Sequence, residues 1–278
     1  MGAIVTIRSH RRTTTPESIM SQIDYAANGH HEKLNEVFRF NGFLDRVYVQ
    51  GERSFALRRT TEGGPYVVDQ LGELPGSFIA EFNDNKNMLV NAALSISELA
   101  ISPLLDSPRF TLRRAARVGP DKATLVRFDF DYRPEHPKEE YDMAGWFVVD
   151  PNRAWSVIEY EVHRKIPGLP KSEQLDMLIT GKIRYPTEPG PISTFPERVI
   201  VTFLSLIPGG RQFERRYDFK TESCSTDPIP IREFTLAAYG LDYLDRPMGQ
   251  SRNMAAYWAF GLAATAAAAS IFLRRINR

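Results

Sequence analysis

From residue 36 onward the chain consists of short apolar runs with a period of two, each stopped by Gly, Pro, Asn or Asp. Val37-Phe38-Arg39-Phe40 leads into Asn41-Gly42 and then residues 44–49, a pattern that suits a hairpin with a type I′ turn. Runs at 53–60, 66–68, 78–82 and 88–90 continue it, separated by Gly51-Glu52, Glu62-Gly63-Gly64-Pro65 and Asp84-Asn85-Lys86-Asn87. Alternation of this kind fits strands, whose successive side chains point to opposite faces, and each break carries residues that favour turns. The expectation is a meander of antiparallel strands, resumed over 110–118, 124–132, 145–149, 154–164, 179–185, 198–207 and 211–220. Its clearest unit is 145–160, two β-rich runs around Asp150-Pro151-Asn152-Arg153, with Trp146 and Trp155 near their starts.

Three stretches depart from that period. Residues 1–15 hold a basic cluster and Thr13-Thr14-Thr15, and are expected to be disordered. Thr15 can cap a helix opened by Pro16, and Ile19, Ile23 and Ala26 follow at helical spacing, so a helix is expected at about 16–28. A second, short helix is expected within 94–105, limited by Pro103 and Pro108. Residues 223–253 have the composition of a linker, with 231–236 as a short edge strand or docking segment.

Residues 254–273 contain no charged side chain, and twenty residues of helix span roughly 30 Å, the thickness of a bilayer's hydrocarbon core. Tyr257 and Trp258 sit near one end as interfacial aromatics, and Arg274, Arg275 and Arg278 form a basic tail over 274–278 at the other. Gly261 and Thr265 give a small-x-x-x-small pairing on one helix face. A transmembrane helix over 254–273 is expected. The positive-inside rule then puts the tail in the cytoplasm and the β-domain on the periplasmic side, as a single-pass membrane protein. Met1–Ile7 is too short for a signal peptide's apolar region, and its charges follow rather than precede it. The expectation is that the gene starts upstream of Met1, or that Met1 is an internal start.

The order of strands, the short helix at 94–105, the turn at 82–86, the leading helix near 16–27 and the Trp146–Asp150-Pro151 hairpin together resemble the LolA/LolB/RseB-like lipoprotein-carrier superfamily. Phe234, Leu236, Ala238, Tyr239, Gly240 and Leu241, ahead of a polar linker and an apolar segment, resemble the ending of planctomycete-type envelope proteins with a C-terminal anchor. The resemblance spans roughly 16–278. It implies a mainly β (α+β) fold over 16–222: a strongly curved antiparallel sheet, an unclosed half-barrel, wrapped on one or two helices. It also implies binding rather than catalysis, with acyl chains or envelope lipoproteins held in the concave face. A C-terminal anchor departs from a freely shuttling carrier.

On that implied inner face the candidate apolar wall is Phe38, Phe40, Phe55, Phe128, Phe130, Trp146, Val148, Trp155 and Phe203. An acyl chain needs only a continuous apolar wall, each CH₂ gaining about 0.8 kcal/mol on leaving water. The competing reading is that these side chains pack on the helices and leave no cavity.

Catalytic patterns do poorly. There is no H-E-x-x-H, no G-x-S-x-G and no phosphate-cradling glycine loop. His30-His31 point apart, and Asp129 and Asp131, though on one strand face, read as solvated. The single cysteine, Cys224, excludes an intramolecular disulfide and a cysteine-rich zinc site, and a net charge of +1 gives no nucleic-acid footprint. No catalytic residue, metal site or cofactor is expected. The expected partners are the membrane, a lipid or lipoprotein and a membrane protein; the alternative is a protein–protein scaffold or anti-sigma-type sensor with no small ligand.

Overall fold

The computed structural model describes residues 4–14, 18–39, 42–97, 99–119, 125–133, 141–165, 176–187, 195–207, 211–227 and 229–244. The chain divides into two units, 1–229 and 230–278.

Six strands lead the first unit: β1 (Ile4–Thr14), β2 (Ser18–Asn28), β3 (His31–Phe38), β4 (Leu44–Gln50), β5 (Phe55–Arg59) and β6 (Val67–Leu71). Helix α1 (Gly76–Leu89) follows, then a two-residue ladder β7 (Ser95–Ile96) and β8 (Leu99–Ala100), and a short helix α2 (Ile101–Leu105). Seven more strands complete it: β9 (Phe110–Val118), β10 (Leu125–Tyr132), β11 (Asp142–Asp150), β12 (Ser156–Lys165), β13 (Asp176–Arg184), β14 (Arg198–Ile207) and β15 (Arg211–Ser225).

All but the small ladder lie in one thirteen-stranded sheet of order β6-β5-β4-β3-β2-β1-β15-β14-β13-β12-β11-β10-β9. The first six strands meander outward from the centre, and the last seven meander inward until β15 pairs antiparallel with β1, Ile7 opposite Cys224. The protein is therefore mainly β and antiparallel, and the sheet is not closed into a barrel: its ends are β6 and β9.

Two expectations fail at the N-terminus. Residues 4–14 are a paired strand rather than disordered, and the helix expected at 16–28 is strand β2 from Ser18 onward. The apolar residues of β2 read at helical spacing, but Ser21, Ile23, Tyr25 and Ala27 are all buried, a period of two on one face. Gly29, at φ 65°, then takes the left-handed position in the tight turn that brings His31 opposite Asn28. Pairing on both sides, with β15 and β3 flanking β1 and β2, gives this segment long-range contacts that no local propensity records.

The third correction is α1. Residues 78–82 and 88–90 were expected as strands around a turn at 82–86; they form one helix. Asn and Asp are poor helix formers, and what holds them is the sheet beneath. Phe82, Met88 and Leu89 are buried in the core, and Asn85, also buried, donates to the Glu81 carbonyl at 3.1 Å. The Lys86 ammonium donates to both oxygens of Glu32 on β3, at 2.6 and 2.7 Å. Arg46 Nη1 and the Tyr48 hydroxyl on β4 donate to the two oxygens of Glu81, each at 3.1 Å. Phe78 packs edge-on against Tyr48, while the other end of the helix reaches β14. Fourteen residues of helix extend about 21 Å, close to the roughly 24 Å between β4 and β14 in a sheet with that strand order. Helix α1 thus runs across the strands on one face.

That face carries the main core: Ile7, Ile23, Tyr25, Leu34, Phe130, Phe147, Tyr160, Val162, Ile179, Val201 and Phe219 among others. The ladder β7–β8 and the single turn at Ala92–Leu94 sit over β12 on the same side. The helix expected over 94–105 is reduced to α2, with Ser97 at φ 59° breaking any continuation from the preceding turn.

In the second unit, Ile231–Phe234, Leu236–Tyr239 and Asp242–Leu244 are single 3₁₀ turns, so the edge strand expected at 231–236 is not formed. The Thr235 hydroxyl bonds to the Arg232 carbonyl at 2.7 Å and favours the local turn. No helix among the described residues is long and apolar enough to cross a membrane. The expected anchor, with Tyr257, Trp258, Gly261, Arg274 and Arg275, lies outside the described residues.

Candidate functional site: an apolar cavity beside the edge strand

At the β9 end of the sheet the core opens. Among the described residues strand β9 pairs only with β10, and the rows Phe110–Tyr132, Leu112–Phe130 and Ala115–Phe128 run across the two. Phe128 is paired in turn with Phe147 on β11, and Val126 with Val149. Because paired residues share a face, Phe110, Leu112, Phe128, Phe147 and Val149 stand together on the side that carries the core. Phe110 stacks on Phe130 at 5.4 Å between ring centroids, and Phe128 meets Phe147 at 5.3 Å.

Above these rings lie α2 and the turn before β7. Ala93, Leu94, Ile101 and Leu105 face the sheet residues across a cavity of about 440 Å³. Only Ser102 and Asp106 are polar among its lining residues, and those two lie within 3.5 Å of each other. The volume falls in the roughly 300–1,000 Å³ of small-molecule sites. Four large apolar side chains stand half-exposed around the opening: Leu94 (62%), Leu105 (53%), Leu112 (51%) and Trp155 (55%).

The position of Trp155 is set by the β11–β12 turn. Asp150 Oδ1 accepts from the Asn152 backbone N–H at 2.9 Å, starting a 3₁₀ turn over Pro151–Arg153. Ala154 and Trp155 then both take left-handed conformations, at φ 49° and 61°. Ser156 Oγ closes the turn onto the Arg153 carbonyl at 2.6 Å, and Tyr185 donates to the Val157 carbonyl at 2.8 Å. For non-glycine residues such conformations cost of order 1 kcal/mol or more each, and the tryptophan's is held with its ring left in solvent at the cavity mouth.

The structure divides the residues expected to form the apolar wall. Phe128 and Trp155 line the cavity. Phe130, 2% exposed, backs it from the core. Phe203 is on the same face but distant, packed on Tyr217 beside a smaller recess of about 320 Å³ with Met88 and Phe213. Phe38 is also on this face, with the Arg46 guanidinium 5.6 Å over its ring. Trp146 and Val148 alternate with Phe147 and point to the opposite face, where Arg127 lies 4.4 Å over the indole. Phe55 is paired with Val49, also on the opposite face, and is buried there. Phe40 lies outside the described residues. One contiguous wall of nine residues is not what forms.

Sequence reasoning missed Phe110, Leu112, Phe147 and Val149. In the run 145–149 both parities are apolar, so alternation alone cannot choose Phe147 and Val149 over Trp146 and Val148. The available signal was Asp129 and Asp131, whose polar parity leaves Phe128 and Phe130 for the core side. Those carboxylates are engaged: Asp129 with Arg127 at 2.8 Å, and Asp131 with Arg113. Among the described residues no group of three or more His, Cys, Asp or Glu side chains is placed to hold a metal ion. The chain matches no protein-family model and no curated protein.

Proposed function

We propose that this protein binds the acyl chain of a lipid or lipoprotein in the cavity under α2, as a non-enzymatic module tied to a membrane by residues 254–273. The observation that carries the reading is the 440 Å³ cavity, almost wholly apolar, with Leu94, Leu105, Leu112 and Trp155 exposed at its mouth. An uncovered cluster of that kind is costly in water, and a chain lying over it gains about 25 cal/mol per Å² of apolar surface covered. A sheet curved as an unclosed half-barrel, as the LolA-like resemblance implies, would leave such a recess reachable from its open edge.

The experiment is titration of the purified full-length chain with a fluorescent fatty-acid probe, followed by displacement with unlabelled oleate. Saturable, displaceable binding that shifts the emission of Trp155 is expected, and a Trp155→Phe variant should lose the shift. Converting both Leu94 and Leu105 to aspartate should weaken probe binding about tenfold or more. Each leucine forfeits roughly 1 kcal/mol of chain contact, and a carboxylate is left at an apolar mouth. Both residues are more than half exposed, so thermal stability should change by no more than about 1 kcal/mol in sum. A folded wild-type chain with no saturable probe binding rejects the proposal.

A further inference from the structure

The acyl-chain reading leaves the outer margin of β9 unused. This nine-residue strand ends the sheet, with no strand beyond it among the described residues, and its outer row of backbone N–H and C=O groups is a template for another strand. The opposite edge, β6, has only five residues. Strand β9 is also unusually basic, and its cations differ in kind. Arg113 sits at the register shift between β9 and β10 and is engaged by Asp131. Arg114 and Arg117 are exposed and have no ion-pair partner among the described residues. They lie on opposite faces. Arg117 is opposite Val126 and so shares the cavity side, whereas Arg114 is opposite Asp129 and shares the side of Trp146. Between them Ala115, the neighbour of Phe128, gives the cavity side a small residue through which a bulkier side chain can reach the rings.

We propose that β9 is a docking edge for an extended acidic segment of a partner protein, which adds as a fourteenth, antiparallel strand. The register dictates the partner's sequence. A residue opposite Arg117 should be acidic. Two positions on, opposite Ala115, the side chain points to the cavity side and should be apolar. One further, opposite Arg114, the side chain emerges on the other face and should again be acidic. The motif is acidic, any residue, apolar, acidic. Antiparallel addition is favoured because it matches every other pair in the sheet and is slightly the more stable ladder. Self-pairing of two β9 edges brings their arginines together, so a second copy is the wrong occupant.

The test uses the full-length chain and a labelled peptide containing Glu-Thr-Val-Glu, read by fluorescence anisotropy. Saturable binding that weakens with added salt is expected. A permuted peptide with the two glutamates adjacent puts one of them opposite Ala116 and should bind several-fold more weakly. The double variant Arg114→Glu/Arg117→Glu should lose about tenfold or more in affinity for the acidic peptide and gain binding to the Lys-Thr-Val-Lys counterpart. That gain separates a lost docking edge from a misfolded chain. Equal binding of the permuted peptide, or an unchanged affinity in the double variant, overturns the proposal. So does absence of peptide binding with arginine-dependent adsorption to phosphatidylglycerol vesicles, which would make the edge a lipid-facing surface.

Discussion

Gly145→Ala should be among the most damaging single-methyl additions this protein can receive, lowering the midpoint of thermal unfolding by roughly 6–12 °C. Gly145 is on β11 opposite Val162 of β12, and a Cβ built there would lie 2.1 Å from the Glu161 carbonyl oxygen and 2.9 Å from Val162 Cα. Both are backbone atoms of an interior strand, so no rotamer change relieves the contact and the ladder itself must separate. Overpacking of a rigid core costs about 1–3 kcal/mol, and a backbone obstacle belongs at or above the upper figure. Gly181→Ala makes an instructive contrast. Its added Cβ would come within 2.1 Å of the Tyr160 ring, a side chain rather than backbone, though one boxed in at 2% exposure. Tyr160→Leu should therefore recover part of the cost of Gly181→Ala in a double-mutant cycle and none of the cost of Gly145→Ala. Circular dichroism melts of the three single and two double variants decide it, and equal coupling in both cycles would contradict the geometry.

Much of the sheet was legible because its strands carry their own boundaries. The hairpin at 145–160 survives nearly residue for residue, since Asp150, Pro151 and Asn152 supply a local hydrogen bond and a fixed φ that need no help from the rest of the chain. Strands β9, β14 and β15 were bounded by the same kind of punctuation. What was not legible depends on distant partners. Asn83, Asp84, Asn85 and Asn87 spell a turn to any local criterion, and partners far away in sequence make them helical: the core that buries Phe82, Met88 and Leu89, and Glu32 on β3 with Arg46 and Tyr48 on β4. Strand β2 likewise offers Ile19, Ile23 and Ala26 at helical spacing and Ile23, Tyr25 and Ala27 at a period of two, and the choice is made by pairing with β1 and β3.

The candidate site follows the same division. Trp155 and Phe128 were identifiable as large aromatics in β-rich runs. The cavity was not, because it exists only where α2 stops short of covering β9 to β11. Its other wall, Leu94 and Leu105, comes from a stretch read as one amphipathic helix. Ser97 at φ 59° and the β7–β8 ladder split that stretch in two, and the split turns those leucines toward the opening instead of sealing it.

The polar contacts that hold α1 down also make the fold sensitive to alkali. Tyr25 and Tyr48, 2% and 3% exposed, lie on the α1 face of the sheet. Burial pushes both phenols well above the ordinary tyrosine range, and the neighbouring carboxylates add to it, Glu32 for Tyr25 and Glu81 for Tyr48. Tyr66 and Tyr185 shift in the same direction, first through burial. Below the unfolded-chain value of about 10, native and unfolded states both keep these protons, and the full stability is present. Above it the unfolded chain releases them while the native state still holds them, so stability is lost as pH rises toward the native values. Each retained proton costs about 1.4 kcal/mol per pH unit, so Tyr25 and Tyr48 alone remove roughly 5 kcal/mol between pH 10 and 12. That is comparable with the whole stability of many domains. Cooperative unfolding at about pH 11–12 is therefore expected, with the last part of the tyrosinate absorbance, that of the buried phenols, and the loss of β-sheet circular dichroism rising together. Tyr48→Phe gives up the bond to Glu81, costing about 1 kcal/mol at neutral pH, but removes one linked proton and should flatten the alkaline slope accordingly. If all of the tyrosinate forms well before the sheet signal changes, or if Tyr48→Phe leaves the slope unaltered, then the phenol under α1 is not gripped as its burial and its bond to Glu81 require.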